Sequence, residues 1–202
     1  MEDSKTITYY NEHAEEFIEN TWKADMSEVY GRFLKYMEPG AHILDAGCGS
    51  GRDSYWFIQQ GYQVTAADAS ESMCKAAERL TGQKVVQFRF EDMDYQEAFD
   101  GIWACASLLH VKRDKLPEII RKMMTALRAG GVLYASWKYG ISERWSDNRY
   151  FCDLTQEELL QILSQQGGYV LEECWITEDV RVEHKSEKWL NAIIRKSNRK
   201  IE

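Results

Sequence analysis

A glycine-rich turn after an apolar segment is the feature of this sequence that points most clearly to chemistry. The stretch Ile43–Gly51 reads ILDAGCGSG, with a carboxylate at Asp45 and glycines at Gly47, Gly49 and Gly51. Glycine has no Cβ, so it allows a sharp turn and lets a ligand approach the backbone closely. The pattern predicts a strand that ends at a ligand-binding loop and leads into a helix.

The spacing and charge of this loop favour one kind of ligand over another. A dinucleotide fingerprint needs G-x-G-x-x-G, and the position of its third glycine is Arg52 here. The Asp45 carboxylate would repel a pyrophosphate and attract an ammonium group. Asp68 ends the next β-rich run, where a carboxylate can accept both hydroxyls of a ribose. The loop therefore predicts a ligand with a ribose and a positive charge.

Short β-rich runs alternate with helical stretches, and this alternation predicts how the loop is held in place. The β-rich runs lie at 42–46, 62–68, 84–90, 99–107 and 130–138. Between most of them, the sequence is typical of helices. Repeated β-α-β units of this length predict a parallel sheet with helices on both faces. Such a sheet binds ligands at the carboxyl ends of its strands, where the glycine loop falls.

The two ends of the chain depart from this alternation. Residues 6–37 read as two helices, and another helix, capped by Thr155, is predicted over 155–166. Two β-rich runs at 168–180 and 188–196 then predict a hairpin. The expected fold is α/β: a Rossmann-like, doubly wound, seven-stranded sheet, mostly parallel, with a C-terminal antiparallel hairpin and two N-terminal cap helices.

Six segments, in this order, resemble the motifs of class I S-adenosylmethionine-dependent methyltransferases. They are YYNEHAEEF (9–17), DAGCGSGRDS (45–54), VTAADAS (64–70), RFEDMD (89–94), FDGIWACASLLHV (99–111) and LRAGGVLYAS (127–136). The resemblance spans nearly the whole chain. It implies that the cofactor is S-adenosylmethionine and that the cofactor product is S-adenosylhomocysteine. S-adenosylmethionine carries an ammonium and a sulfonium and no phosphate, which agrees with the charge of the loop.

The resemblance also assigns residues to the cofactor. The cap helix, the glycine loop and the ends of the next three strands supply them. The implied cofactor-binding residues are Tyr10, Asp45, Gly47, Gly49, Gly51, Arg52, Asp68, Ala69, Asp92, Met93 and Ser107. Among these, Asp92 and Met93 match the pair that meets the adenine, and Arg52 is expected to contact the carboxylate of the cofactor.

His110 is the candidate for a general base. It follows the fourth predicted strand, so it is expected at the rim of the cofactor pocket, and the ordinary pKa of histidine suits proton transfer near neutrality. A base is needed only if the acceptor loses a proton. The alternative is that His110 shapes the pocket or packs against a helix, and the sequence leaves both interpretations open.

A polar loop after the fifth predicted strand is the candidate acceptor site. It reads YGISERWSDNRYF and carries Arg144, Arg149 and Tyr150. Loops at this edge of a sheet shape access to the site. We expect Arg149 and Tyr150 to contact the acceptor, since arginine can hold an anion through paired hydrogen bonds. The alternative is a solvated lid with incidental charge.

Composition narrows the class of protein. The net charge is −8, and only the segment Arg195–Lys200 is locally basic, which disfavours a nucleic-acid substrate. The five cysteines form no CxxC pair, and the four histidines, including His184, lack metal-ligand spacing, so no metal site is expected. No apolar run is long enough to span a membrane, and no leader is recognisable. The expected location is the cytoplasm.

The length predicts one domain over residues 1–202, with cap helices at 1–40 and the Rossmann-like core at 41–202. The expected function is methyl transfer to a small molecule by in-line displacement, in a monomer or a homodimer. Two alternatives remain open: an enzyme that methylates RNA or protein, and a regulator that binds S-adenosylmethionine without turnover.

Overall fold

The elements follow the predicted alternation of strands and helices. A computed structural model describes residues 3–181 and 186–197. The strands are β1 (His42–Ala46), β2 (Gln63–Asp68), β3 (Val86–Gln87), β4 (Phe99–Ala104), β5 (Leu127–Lys138), β6 (Glu143–Ser146), β7 (Arg149–Cys152), β8 (Tyr169–Glu178) and β9 (Lys188–Lys196). The helices are α1 (Asp3–Glu12), α2 (Ala14–Thr21), α3 (Ser27–Leu34), α4 (Arg52–Gln59), α5 (Glu71–Thr81), α6 (Leu116–Ala126) and α7 (Gln156–Gln166). His184 and the end of the basic C-terminal segment lie outside the described residues.

Seven strands form one sheet in the order β3-β2-β1-β4-β5-β9-β8. The first five of these pair in parallel, while β9 is antiparallel to both β5 and β8. The seven-stranded, mostly parallel sheet with a C-terminal hairpin is thereby confirmed. None of the helices in the described ranges is long and apolar enough to cross a membrane.

Both faces of the sheet are buried, because successive side chains on a strand point to opposite faces. Leu44 and Ile102 belong to a core that includes residues of α6 and α7. Their neighbours Ile43 and Trp103 belong to a second core, which includes Phe33 of α3 and residues of α4. The sheet is therefore covered on both sides, as the alternation of β-rich runs and helical stretches predicted.

The N-terminal region has one helix more than the sequence predicted. The first predicted helix is divided into α1 and α2 at His13, whose backbone leaves the helical range at φ −116° and ψ 25°. The side chain explains the bend, since Nδ1 of His13 lies 3.0 Å from the carbonyl oxygen of Tyr9, one turn earlier. The capping box of α7 is present as predicted, with reciprocal bonds between Thr155 and Glu158.

Two segments differ from their predicted structure. The strand predicted over 84–90 is reduced to the two exposed residues of β3, after which Phe88 and Phe90 pack on the core without continuing the strand. The loop expected after β5 contains the hairpin β6–β7, closed by Asp147 and Asn148 with φ of 48° and 61°. A two-residue turn with positive φ at both positions matches the twist of a hairpin, and Asp and Asn tolerate that conformation.

Candidate functional site

The glycine loop crosses from the end of β1 to the start of α4. The backbone amides of Gly47 and Cys48 both donate to the carbonyl oxygen of Ala67 on β2, at 2.8 and 2.9 Å. At Gly47, φ is +81° and a Cβ would lie 2.4 Å from Cβ of Ser107. At Gly49, a Cβ would meet nothing closer than a carbon of Phe17 at 3.7 Å. Close packing therefore explains Gly47, while Gly49 leaves the backbone open to an approaching group.

Asp68 lies at the end of β2 and faces this loop. One carboxylate oxygen accepts from the amide of Gly49 at 2.9 Å, and the other accepts from the amide of Ser70 at 2.8 Å. Burial raises the pKa of Asp68, and these amide hydrogen bonds oppose the rise. Each oxygen keeps further acceptor capacity, so the carboxylate can accept the two hydroxyls of a ribose.

Asp45, at the end of β1, is a buried carboxyl beneath the same loop. It is 2% exposed and accepts a hydrogen bond of 2.6 Å from the hydroxyl of Ser54. Burial, and then the negative charge of Asp53, raise the pKa of Asp45. Within the described ranges it forms no ion pair. A cationic group at the loop would relieve this charge, whereas a pyrophosphate would add to it, so the residues fit S-adenosylmethionine better than a dinucleotide.

Arg52 and Asp53 form a buried cluster that the sequence did not reveal. The guanidinium of Arg52 contacts both carboxylate oxygens of Asp53, at 2.6 and 3.0 Å. Asp53 also accepts from the hydroxyl of Tyr30 at 2.6 Å and from the indole of Trp103 at 2.8 Å. Although burial alone would raise it, these partners hold the pKa of Asp53 below its usual value. Arg52 thus donates three hydrogen bonds, two to Asp53 and one to the carbonyl oxygen of Thr21, and keeps two further N–H donors in the cavity wall.

Four other residues predicted to bind the cofactor lie in separate surroundings. Ser107 supports the loop, since its hydroxyl donates to the carbonyl oxygen of Ala46 at 2.7 Å. The carbonyl oxygen of Ala69 accepts from the side chain of Gln87. Asp92 is exposed on a 3-10 turn, and Met93 after it is buried in the core.

The N-terminal helices lie across the loop and the start of α5. Oδ1 of Asn11 accepts from the hydroxyl of Ser70 at 2.7 Å and from the amide of Ser72 at 3.1 Å. On α2, Phe17 is the nearest side chain to the open position at Gly49. The expectation of a helical cap over the glycine loop therefore agrees with these contacts.

A cavity of about 850 Å³ opens beside the loop, between the N-terminal helices and the ends of β5, β7 and β9. Four of the predicted residues line it: Tyr10, Arg52, His110 and Arg149. Phe17 lines it as well and so connects the cavity with the glycine loop. A volume of this size is in the usual range for small-molecule sites.

His110 stands in the cavity wall with both ring nitrogens engaged. Nδ1 lies 2.6 Å from the carbonyl oxygen of Tyr150, so it carries the hydrogen. In the neutral ring Nε2 is then an acceptor, and the hydroxyl of Tyr10 donates to it at 2.8 Å. Burial lowers the pKa of His110 to about 4, and the charges of Arg149 and Lys138 act in the same direction. The geometry favours the alternative in which His110 shapes the pocket, and its role as a base stays a prediction.

His13 is a second histidine in the cavity wall, and the sequence did not single it out. Its ring stacks on Tyr9 at 4.3 Å, and Nδ1 donates to the carbonyl oxygen of Tyr9. In the neutral ring the lone pair is then on Nε2, which has no hydrogen-bond partner among the described residues. The bend between α1 and α2 positions this imidazole, and no local motif in the sequence predicts that bend.

Arg149 and Tyr150 are consecutive on β7, so their side chains point to opposite faces. Arg149 lines the cavity with Phe151. The ring of Tyr150 contacts Trp145, and its hydroxyl donates to Glu143. The structure thus brings Arg149 to the cavity, whereas Tyr150 contributes the carbonyl oxygen that orients His110.

The sequence is similar to known methyltransferases. Residues 43–131 match the model of a methyltransferase domain. The chain is 35% identical over 105 residues to a ubiquinone biosynthesis O-methyltransferase of Xanthomonas campestris, covering 48% of this chain and 43% of that protein. It is 32% identical over 168 residues to the O-methyltransferase resE of Aspergillus sclerotiorum, covering 70% of this chain and 60% of the relative. The chain thus spans about half the length of these curated relatives.

The fold has close counterparts among solved structures. One is the 1,6-didemethyltoxoflavin-N1-methyltransferase of Burkholderia thailandensis, solved with 1,6-didemethyltoxoflavin and S-adenosylhomocysteine. It superposes with a TM-score of 0.78 and 21% identity, covering 96% of this chain and 87% of that chain. The matched domain, the sheet order and the glycine loop with its two carboxylates agree with one another. Residues 43–131 thus match a methyltransferase domain, and the relatives and the fold support a class I S-adenosylmethionine-dependent methyltransferase with S-adenosylmethionine as its cofactor.

Proposed function

We propose that this chain transfers the methyl group of S-adenosylmethionine to a small-molecule acceptor. The observation that carries the proposal is the glycine loop with carboxylates at Asp45 and Asp68, placed directly beside a cavity of about 850 Å³. Two acidic side chains suit the cationic cofactor, because a nearby cation favours their ionised forms, and the cavity provides room for an acceptor. The names of the related O-methyltransferases support this assignment.

The positions of the side chains suggest how the cofactor is held. Asp68 accepts the ribose hydroxyls, and Asp45 supplies negative charge near the ammonium group. The backbone at Gly47, Gly49 and Gly51 lets the cofactor approach the loop closely. The remaining predicted contacts, from Tyr10, Arg52, Ala69, Asp92, Met93 and Ser107, stay part of this proposal. When bound, S-adenosylmethionine supplies a methyl carbon attached to a good leaving group, so the protein mainly has to position the acceptor in line with it.

For an acceptor that loses a proton, the open nitrogen of His13 is better placed to take it than His110. Nε2 of His13 carries a lone pair without a partner among the described residues, whereas Nε2 of His110 already accepts from Tyr10. The pKa of His110, about 4, also makes its imidazole a weak base at neutral pH. We therefore assign proton acceptance to His13 and a positioning role to His110.

The proposal is tested by incubating the chain with methyl-labelled S-adenosylmethionine and three separate pools: small metabolites, RNA and protein. We expect S-adenosylhomocysteine to form with the metabolite pool, and label to enter molecules that pass a small-pore filter. Label confined to RNA or protein would contradict the small-molecule assignment. Binding of S-adenosylmethionine without product in any pool would instead indicate a regulator without turnover.

A further inference from the structure

Three cations surround one aromatic ring in the wall of the cavity. Nζ of Lys138 lies 5.2 Å from the ring centre of Phe151, and the guanidinium carbons of Arg144 and Arg149 lie at 5.5 and 5.3 Å. All four residues line the cavity. They come from the end of β5 and from the hairpin β6–β7, so the fold gathers positive charge in this part of the cavity wall.

These cations differ in how well they are neutralised. Lys138 pairs with Glu187 at 2.6 Å, and Arg144 pairs with Asp153, whose side chain is 10% exposed. Within the described ranges, the ion pair of Arg149 is a contact of 3.6 Å with Asp147, whose side chain is 73% exposed and therefore well screened by water; its other side-chain partner, Tyr10, is neutral. Arg149 is the least neutralised of the three.

The guanidinium of Arg149 also has hydrogen-bonding capacity to spare. Its Nε is buried and has no hydrogen-bond partner in the described ranges of the chain. The guanidinium carbon lies 4.3 Å from the ring centre of Tyr9, a contact that restrains the group. A buried donor without a partner is costly, and a held guanidinium offers the paired donors that match a carboxylate.

Neighbouring groups respond to the same positive charge. The charge of Arg149 lowers the pKa of His110 and opposes the rise that burial causes in the pKa of Tyr10. The other carboxylates of the wall are either paired with a cation, as in Asp179 with Arg181, or solvent-exposed, as in Glu16 and Glu178. The inner wall around Arg149 is therefore electropositive.

We propose that the acceptor carries a carboxylate, which pairs with the guanidinium of Arg149 inside the cavity. This inference rests on the proposed function, because it names the chemical class of the acceptor. The carboxylate is a recognition group, held by two parallel N–H···O hydrogen bonds on the surface formed by Tyr9, Phe151 and Arg149. The pairing fixes the distance between this group and the transferred methyl.

The test measures binding without turnover. Benzoate, salicylate and 1-naphthoate, each with its uncharged carboxamide, are titrated calorimetrically into protein saturated with S-adenosylhomocysteine. At least one carboxylate is expected to bind about 10-fold more tightly than its amide, the effect of one charge-assisted bond. The preference should vanish in Arg149→Met and persist in Arg121→Met, a control on the exposed face of α6. Arg149→Lys, which keeps the charge without the planar fork, should show an intermediate preference and replaces Arg149→Met if that variant does not fold.

Three results would overturn the inference: no preference for a carboxylate in any pair, a preference that survives both substitutions of Arg149, or tighter binding of phenyl phosphate than of every carboxylate. Failure of S-adenosylhomocysteine to bind would count against the proposed function alone. The same titrations on the protein without S-adenosylhomocysteine would then still decide whether Arg149 selects a carboxylate.

Discussion

Asp45 and Asp53 are both buried carboxyls near the glycine loop, yet they have different electrostatic surroundings. Asp53 is matched by Arg52 and two neutral donors, so its charge is satisfied inside the protein. Asp45 has a hydroxyl partner in Ser54 and no cation in direct contact in the described part of the chain. The unmatched carboxyl is the one beside the loop, which suits a cationic ligand.

The close contact at Gly47 predicts a large effect of one methyl group. A Cβ at this position would lie 2.4 Å from Ser107, on a backbone with φ of +81°. We expect Gly47→Ala to lower the free energy of unfolding by about 2 kcal/mol or more, from the clash and the left-handed backbone. The control is Gly31→Ala in α3, where a Cβ meets nothing within 4 Å. Urea denaturation that showed equal changes in the two variants would contradict this account.

The two cavity histidines predict opposite kinetic behaviour. With an acceptor methylated on a hydroxyl or amine, His13→Gln should lower kcat by about 100-fold with little change in KM, as expected for loss of a base. His42→Gln is the matched control, since His42 lies on β1 and bonds to Thr65 outside the cavity. An unchanged kcat in His13→Gln would contradict the assignment of the base to His13. A larger loss of kcat in His110→Gln than in His13→Gln would return the base role to His110.

Some of these residues could be predicted from the sequence and others could not. Asp45 and Asp68 are recognisable because each ends a β-rich run next to the same glycine loop. The contacts between Tyr10 and His110, and between Asp53 and Trp103, join residues far apart in the chain. Their pairing depends on how helices pack on the sheet, which no local pattern specifies.

At the scale of elements, α1 is attached to the core largely through polar contacts. Thr6 accepts from the amide of Tyr150, Tyr10 donates to His110, and Asn11 accepts from Ser70. Polar contacts of this kind each contribute only about 1 kcal/mol. The helix that covers the loop is therefore held on by contacts that are individually weak.

This attachment predicts that Asn11 controls how fast the cofactor product leaves. Asn11→Ala removes the two side-chain bonds to Ser70 and Ser72 and leaves the backbone bond to Ser72, so S-adenosylhomocysteine should dissociate about 3 to 10 times faster, with a smaller change in association. Stopped-flow fluorescence measures both rates. Glu12→Ala, at an exposed neighbouring position, is the control. Equal dissociation rates in the wild type and Asn11→Ala would show that α1 does not restrain the ligand.

Strands and helices could be predicted where the residues of the element itself carry a clear pattern. The runs that became β1, β2, β4 and β5 each contribute apolar side chains to the cores on both faces of the sheet. Half of the strand residues in the hairpin β6–β7 are polar, and its signal lay in the turn Asp147–Asn148, which tolerates positive φ. The break at His13 depends on one side chain bonding to the backbone, a choice that helical periodicity does not show.

In the whole molecule, the charge of the cavity wall differs in sign from the net charge of the chain. The chain has a net charge of −8, yet the cavity wall around Arg149 is electropositive, while the glycine loop has two acidic side chains beside it, Asp45 and Asp68. A cationic cofactor and an acidic acceptor would meet between these two regions. The cavity of about 850 Å³ suits a small molecule, and the average acidity gives little attraction for nucleic acid.

The central claim is that S-adenosylmethionine binds at the glycine loop through Asp68, and calorimetric titration of S-adenosylhomocysteine tests it most directly. The account predicts saturable binding to the wild type and an affinity at least about 10-fold weaker in Asp68→Ala, because two ribose hydrogen bonds to a carboxylate are lost. Asp94→Ala, at an exposed position, should leave the affinity unchanged. Equal affinity of the wild type and Asp68→Ala would contradict the site.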